Sequence, residues 1–226
     1  MKKSGQGGFD LESDKKRALT LTPVSRETEN RLNMFVVLLL LWQERFNLVA
    51  SSTLNVLWTR HIADSLQLLP LAPEARVWVD FGSGAGFPGI PVACALADKP
   101  GTMVHLVESV GKKANFLREV VRALALPAQV HQDRAEKFGE TCAETVHVVT
   151  ARALAPLKTL CDQAFPLIAK GAVGLFPKGQ DVAAELTEAA KYWRLEASLV
   201  PSVTNPASAI VVVRGLKRLG KTQLSH

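Results

Sequence analysis

The sequence predicts an α/β fold: a mostly parallel, doubly wound sheet that ends in an antiparallel hairpin and is preceded by a helical extension. Three observations predict it. From Arg76 onward, short β-branched runs alternate with helical stretches, the texture of strands linked by crossover helices. The first of these runs leads directly into a cluster of glycines, the place where a doubly wound sheet turns from strand to helix. The last two runs are joined by a Pro/Asn/Ser-rich stretch with no room for a helix, so they must pair antiparallel.

Taken in order, residues 1–22 mix Gly, Ser, Lys and acids without an apolar period and are expected to form a mobile arm. A helical extension over 23–73 follows. Ser25 is placed as the N-cap of a long helix whose apolar stripe is Leu32, Phe35, Val36, Leu39 and Leu40. A second helix opens near Ser52 or Thr53, carries Val56, Leu57, Ile62, Leu66 and Leu69, and is closed by Pro70 and Pro73. The main domain spans 74–215. Its strands are expected at Val77–Phe81, Met103–Glu108, Gln129–Asp133, Val146–Ala151 and Ala172–Phe176, with the hairpin at Leu195–Val200 and Ala209–Arg214. Helices are expected near Ile90–Ala97, Lys112–Leu124, Pro156–Ile168 and Val182–Lys191. Residues 216–226 form a basic tail. A sheet ending in such a hairpin is the outline of class I, Rossmann-like methyltransferases.

Composition excludes several classes. Of 226 residues, 47% are hydrophobic and 21% charged, enough apolar material for a sizeable core and unlike a disordered chain. The longest apolar run, Met34–Trp42, is far short of the roughly 18 residues that a membrane span requires. The N-terminus lacks the apolar stretch of a signal peptide, and three scattered cysteines suggest neither a disulfide framework nor a zinc site. A cytoplasmic, metal-free monomer is expected. The net charge of +6 and pI near 9.4 make an anionic partner plausible, and no acid occurs after Glu196.

The chemistry is concentrated at Asp80-Phe-Gly82-Ser-Gly84-Ala-Gly86-Phe87-Pro88-Gly89. Glycines here let the backbone approach a nucleoside closely. Glu108, at the end of the next strand, is placed to accept the two ribose hydroxyls of an adenosine. Gly84 to Gly89 also satisfies G-x-G-x-x-G, so an NAD-dependent oxidoreductase must be weighed. Asp80 argues against it: a carboxylate at the end of the first strand opposes a pyrophosphate but suits a ligand carrying a sulfonium and an ammonium. S-adenosylmethionine is favoured. A P-loop pattern, Gly215-Leu-Lys-Arg-Leu-Gly220-Lys221-Thr222, has too little chain after it to form the helix that holds phosphates.

Asn47-Leu, Arg60-His61-Ile-Ala-Asp64-Ser65, the glycine turn through Pro91, Glu108-Ser with Lys112-Lys113, Phe116-Leu, Arg152-Ala-Leu-Ala-Pro-Leu157 and Lys178-Gly179 together resemble the RsmG (GidB) family, the bacterial 16S ribosomal RNA guanine-N7 methyltransferases. The resemblance runs from about Asn30 to Gly215. It implies S-adenosylmethionine as cofactor and a guanine near the decoding centre as substrate. The cofactor positions it implies are Gly82 and Phe87 in the turn, Ala135 and Glu136 after the third strand, and Arg152 after the fourth; Asp80, Gly84 and Glu108 join them on the argument above. Two features depart from the family: the long N-terminal arm, and Phe165-Pro166, expected to shorten or kink its helix.

Guanine N7 has an in-plane lone pair and no proton, so no general base is expected; Arg152 and Lys178 are expected to position the reactants. Absent features agree: no Asn/Asp-Pro-Pro-aromatic segment follows the fourth strand, and no Pro-Cys pair offers a nucleophile. Arg134, Arg152 and Lys178 end strands three, four and five and should share one rim with Arg60, Lys112 and Lys113, a surface for RNA phosphates. Arg60, His61 and Asp64 lie on one helical face, where docking of that helix and contact with RNA are equal alternatives. His105, His131 and His147 fall in strands and are expected to pack. A non-catalytic RNA-binding module of the same fold is the remaining rival.

Overall fold

The computed structural model describes residues 11–220. Its centre is a seven-stranded sheet: β1 (Val77–Phe81), β2 (Met103–Val107), β3 (Ala128–His131), β4 (Val148–Ala151), β5 (Val173–Lys178), β6 (Trp193–Pro201) and β7 (Ala209–Arg218), in the order β3-β2-β1-β4-β5-β7-β6. The first five strands are parallel, and β7 is antiparallel to both β5 and β6. Strand order reverses between β1 and β4, and ligands of doubly wound sheets bind beyond the carboxyl ends of the strands at that point. Every residue of β1 is buried, as a central parallel strand with helices on both faces requires.

Two apolar layers sandwich the sheet. One contains Phe35, Leu39, Trp58 and Ile62 of the N-terminal extension with Ile90 and Phe116; the other joins Phe81, Phe138, Leu160 and Phe176. The helices are α1 (Leu11–Leu21), α2 (Arg26–Gln43), α3 (Asp64–Leu66), α4 (Gly89–Leu96), α5 (Gly111–Ala123), α6 (Ala135–Thr141), α7 (Leu157–Ile168) and α8 (Val182–Ala190). Ser25 caps α2 as expected, accepting the amide of Thr28 at 3.1 Å.

Four elements differ from expectation. Residues 11–21, read as part of a mobile arm, form α1, and residues 1–10 lie outside the described residues. The helix has little apolar surface, but Ala18 is fully buried and Asp14 accepts the amides of Trp58 at 2.8 Å and Thr59 at 3.2 Å. Asp14 thereby caps another element, a contact that no local period encodes. The second helix of the extension is a composite: a 3-10 turn (Ser51–Val56), a π-helical turn (Trp58–Ala63) and α3. The α6 helix, which has no counterpart among the expected elements, is only 7 residues long, too short for an apolar period to mark it. Strand β7 continues to Arg218, so part of the expected tail is sheet; 221–226 lie outside the described residues. Pro166 does not end α7, which runs to Ile168.

Candidate active site

The glycine turn joins β1 to α4 and is built around two carboxylates. Asp80, 1% exposed, accepts a hydrogen bond from Thr150 Oγ1 at 2.9 Å and one from the Gly89 amide at 3.1 Å. It ties β1 to β4 and caps α4 from outside the helix. Burial pushes its pKa up to about 6, against the opposing effect of these hydrogen bonds. Asp80, expected from the sequence to face a cationic ligand, has its carboxylate enclosed and engaged by the turn and by β4.

Glu108, following β2, does reach the turn. It accepts the Gly84 amide at 2.8 Å on one oxygen and the Val110 amide at 2.7 Å on the other. A carboxylate has about four acceptor sites, so each oxygen retains one for a hydroxyl.

Gly82, Gly84 and Gly86 have φ of +64°, +55° and +92°, the left-handed region that glycine enters without strain. A Cβ on Gly84 would meet nothing nearer than the Gly82 carbonyl at 3.5 Å, so this position faces open space. On Gly82 it would lie 2.6 Å from Leu154 Cδ1, because the loop after β4 leans over the turn. Gly89 is the tightest: a Cβ would collide with Leu106 Cδ2.

Arg152 gathers the next group. Its Nη2 is 2.7 Å from His61 Nδ1; its Nη1 donates to the Arg60 carbonyl at 3.2 Å and to Asp64 at 3.4 Å; and its guanidinium sits 5.2 Å from the centre of the Phe87 ring. His61 stacks on the same Phe87 ring, with centroids 4.9 Å apart, and its Nε2 is 2.9 Å from Thr53 Oγ1. Burial, reinforced by Arg152 and Arg60, lowers the His61 pKa to about 3. With both nitrogens engaged and the ring 8% exposed, His61 docks its helix, and of the two alternatives open in the sequence this is the one the contacts support.

Asp64 is the hub behind Arg152. It also accepts from Gln67 Nε2 and from Thr204 Oγ1, each at 2.8 Å, while Gln67 Oε1 accepts the Val203 amide at 2.9 Å. The helical extension, the β4 loop and the β6–β7 turn are thus locked into one rim. Sequence reasoning missed Gln67 and Thr204; the Asp64–Gln67 spacing on one helical face was the available signal.

Lys178, at the end of β5, donates to the Ala155 carbonyl and pairs with Glu185, both at 2.7 Å, and Glu185 accepts the Leu157 amide at 2.6 Å. This clamp holds the loop 152–156 rather than leaving Lys178 free for phosphate. Beside it opens a cleft of about 660 Å³ lined by Asp64, Arg152, Pro156, Lys178, Ser202 and Ala209. Arg60, Lys112 and Arg134 are exposed and Lys113 is half-buried. Ala135 is buried at the start of α6; the exposed Glu136 accepts from Gln163 at 2.8 Å, which holds its carboxyl below the usual range. The strand histidines pack as expected: His105 bridges His131 and Glu144, and His147 Nδ1 accepts the Val77 amide at 3.0 Å.

A sheet of this order, with a glycine turn after β1 and an acidic residue just past β2, is the class I methyltransferase fold. Two solved structures share it: cofactor-bound Rv0187 from MTB (TM-score 0.59, 14% identity, 93% of this chain and 99% of that one) and TYW2 from M. jannaschii in complex with AdoMet (TM-score 0.51, 16% identity, 70% and 76%). The chain belongs to the GidB family, rRNA small subunit methyltransferase G, whose model matches residues 28–211. It is similar to Ribosomal RNA small subunit methyltransferase G of Bradyrhizobium sp. (strain ORS 278), 57% identical over 92% of this chain and 94% of that one. The corresponding protein of Rhodopseudomonas palustris (strain BisA53) is 51% identical over 96% and 93%.

Proposed function

We propose that the protein transfers a methyl group from S-adenosylmethionine to N7 of a guanine in 16S ribosomal RNA, near the decoding centre, acting as a cytoplasmic monomer without a metal. Membership of the GidB family is the observation that carries this reading.

The residues present fit the cofactor. Gly84 faces open space a Cβ would fill, and Glu108, anchored by two backbone amides, keeps acceptor sites for ribose hydroxyls. Gly82, Phe87, Ala135 and Glu136 complete the cradle, and Asp80 serves it by holding the turn. When bound, S-adenosylmethionine supplies an electrophilic methyl on a sulfonium.

The chain's own groups position the base. Guanine N7 presents a lone pair without a proton, so no side chain has to accept one, and His61, neutral and enclosed, is not placed to do so. Arg152, held by Asp64 and His61, and Lys178, held by Ala155 and Glu185, fix the loop between the glycine turn and the cleft. In-line alignment is then the main catalytic device. Arg60, Lys112, Lys113 and Arg134 offer charge to RNA phosphates. The two rivals gain nothing from the site: the enclosed Asp80 offers no nicotinamide chemistry, and a cradle open at Gly84 suits a cofactor enzyme better than a passive RNA module.

The test is label transfer from S-adenosylmethionine to small ribosomal subunits, followed by nucleoside analysis. The expected product is 7-methylguanosine; a methylated exocyclic amine or 5-methylcytidine overturns the reading.

A further inference from the structure

Beyond the rim, one surface carries charge that the fold does not neutralise. Over residues 191–220 the basic side chains are Lys191, Arg194, Arg214, Lys217 and Arg218, and the only acid is Glu196. All five cations are exposed. Lys191 pairs with Glu188 and Arg218 with Asp162, but the side chains of Arg194, Arg214 and Lys217 have no ion-pair or hydrogen-bond partner among the described residues.

Their arrangement on the sheet is unfavourable for the isolated protein. Arg194 of β6 is registered directly opposite Lys217 of β7, and like charges facing each other across antiparallel strands repel. Glu196, which could relieve them, lies with its carboxylate against Gly215: a Cβ there would be 2.9 Å from its Oε2. Between Glu196 and Ala197 the register shifts, so that Arg214 is an extra residue of β7 outside the ladder. Three cations without a side-chain partner, two of them directly opposed on neighbouring strands, make a local concentration of positive charge that a polyanion would neutralise.

We infer that this end of the β6–β7 hairpin is a second docking surface for the phosphate backbone of folded ribosomal RNA, remote from the guanine cleft. The inference rests on the functional reading above for the identity of the polyanion. Ala209, at the other end of β7, lines the cleft, and the eight residue steps from it to Lys217 span about 26 Å of strand. That exceeds the roughly 8 Å Debye length at physiological ionic strength, so the hairpin cations act on RNA they touch and not on the base in the cleft. An RNA short enough to stay within the cleft does not reach them, and the inference requires that an assembled subunit does.

The experiment compares the native protein with R194E/K217E. Binding to small ribosomal subunits is measured across a salt series, alongside binding of a short RNA carrying the target guanine. The variant should bind subunits roughly tenfold more weakly at physiological salt, with a log–log salt slope lower by about 1.4–1.8, two contacts at 0.7–0.9 each. Short-RNA binding, S-adenosylmethionine affinity and the single-turnover rate at saturating subunit should not change. Lys217→Gln alone should raise the unfolding temperature at low salt by removing the repulsion, while weakening subunit binding. Unchanged subunit affinity and slope in R194E/K217E overturn the inference and leave the charges as guards of an edge strand, a role that reversal of sign preserves. Because the hairpin is read by binding and the guanine by label transfer, a native protein that binds subunits without methylating them refutes the functional reading and not the surface.

Discussion

Arg152 Nη2 lies 2.7 Å from Nδ1 of His61, and since a guanidinium can only donate, that nitrogen is the acceptor of a neutral imidazole. One contact therefore sets the tautomer of His61, directs its Nε2–H to Thr53, and anchors a cation of the site to the helical extension.

The first prediction concerns pH. His61 titrates at 6.5 in the unfolded reference and at about 3 in the fold, so between these values the unfolded chain holds an extra proton. Its contribution to stability is complete above pH 6.5 and is lost as pH falls through that window. Asp80 runs the other way, from 3.8 unfolded to about 6 folded: its contribution is present below 3.8 and lost as pH rises to 6. In urea unfolding across pH 4–6.5, native minus His61→Gln should rise with pH, and native minus Asp80→Asn should fall. A flat His61 difference would mean a charged imidazole.

Glycines of the turn should separate by function. Gly84→Val puts a branched side chain into open space at φ +55° and should weaken S-adenosylmethionine binding at least tenfold, about 1.4 kcal/mol. Gly89→Ala drives a methyl into Leu106 and Asp80 and should instead destabilise the fold by about 1–3 kcal/mol. Calorimetric titration and thermal unfolding of both variants check the pair.

Glu108→Ala should affect both properties. Removing the acceptor for Gly84 and Val110 leaves amides without their partner and costs about 1–3 kcal/mol of stability, besides the lost ribose contact. Glu108→Gln, retaining a carbonyl oxygen, should recover part of the stability and less of the affinity. Full cofactor affinity in the Ala variant would remove Glu108 from the site.

Asp64→Asn keeps the side chain's shape but weakens its hold on Arg152. The single-turnover rate at saturating subunit should fall about tenfold with little change in cofactor affinity. Arg152→Lys, which keeps charge and loses the planar fork, should slow transfer without introducing a pH dependence between 7 and 9. A new pKa in either profile would point to proton transfer rather than positioning.

Much of this site was legible in the chain because its signals are local. The run Val77–Phe81 before the glycine cluster is β1 with the expected bounds, since a fully buried parallel strand is a short apolar run whatever surrounds it. Glu108 was readable for the same reason, lying one residue past β2. The helical composition of the extension, Ser25 as a cap and the antiparallel β6–β7 pair also follow from neighbours within a few residues. Tertiary structure alone decided what distant residues do to one another. Asp80 looked like a ligand-facing charge until Thr150, seventy positions on, engaged it across β1 and β4. His61 and Asp64 acquired their task from Arg152, about ninety residues away, and Lys178 was committed by Glu185 and Ala155 rather than left to RNA. Helix α1 shows the limit most directly: it is held by the burial of Ala18 and by Asp14, which caps a turn 44 residues further along, contacts with distant residues that its own sequence does not reveal.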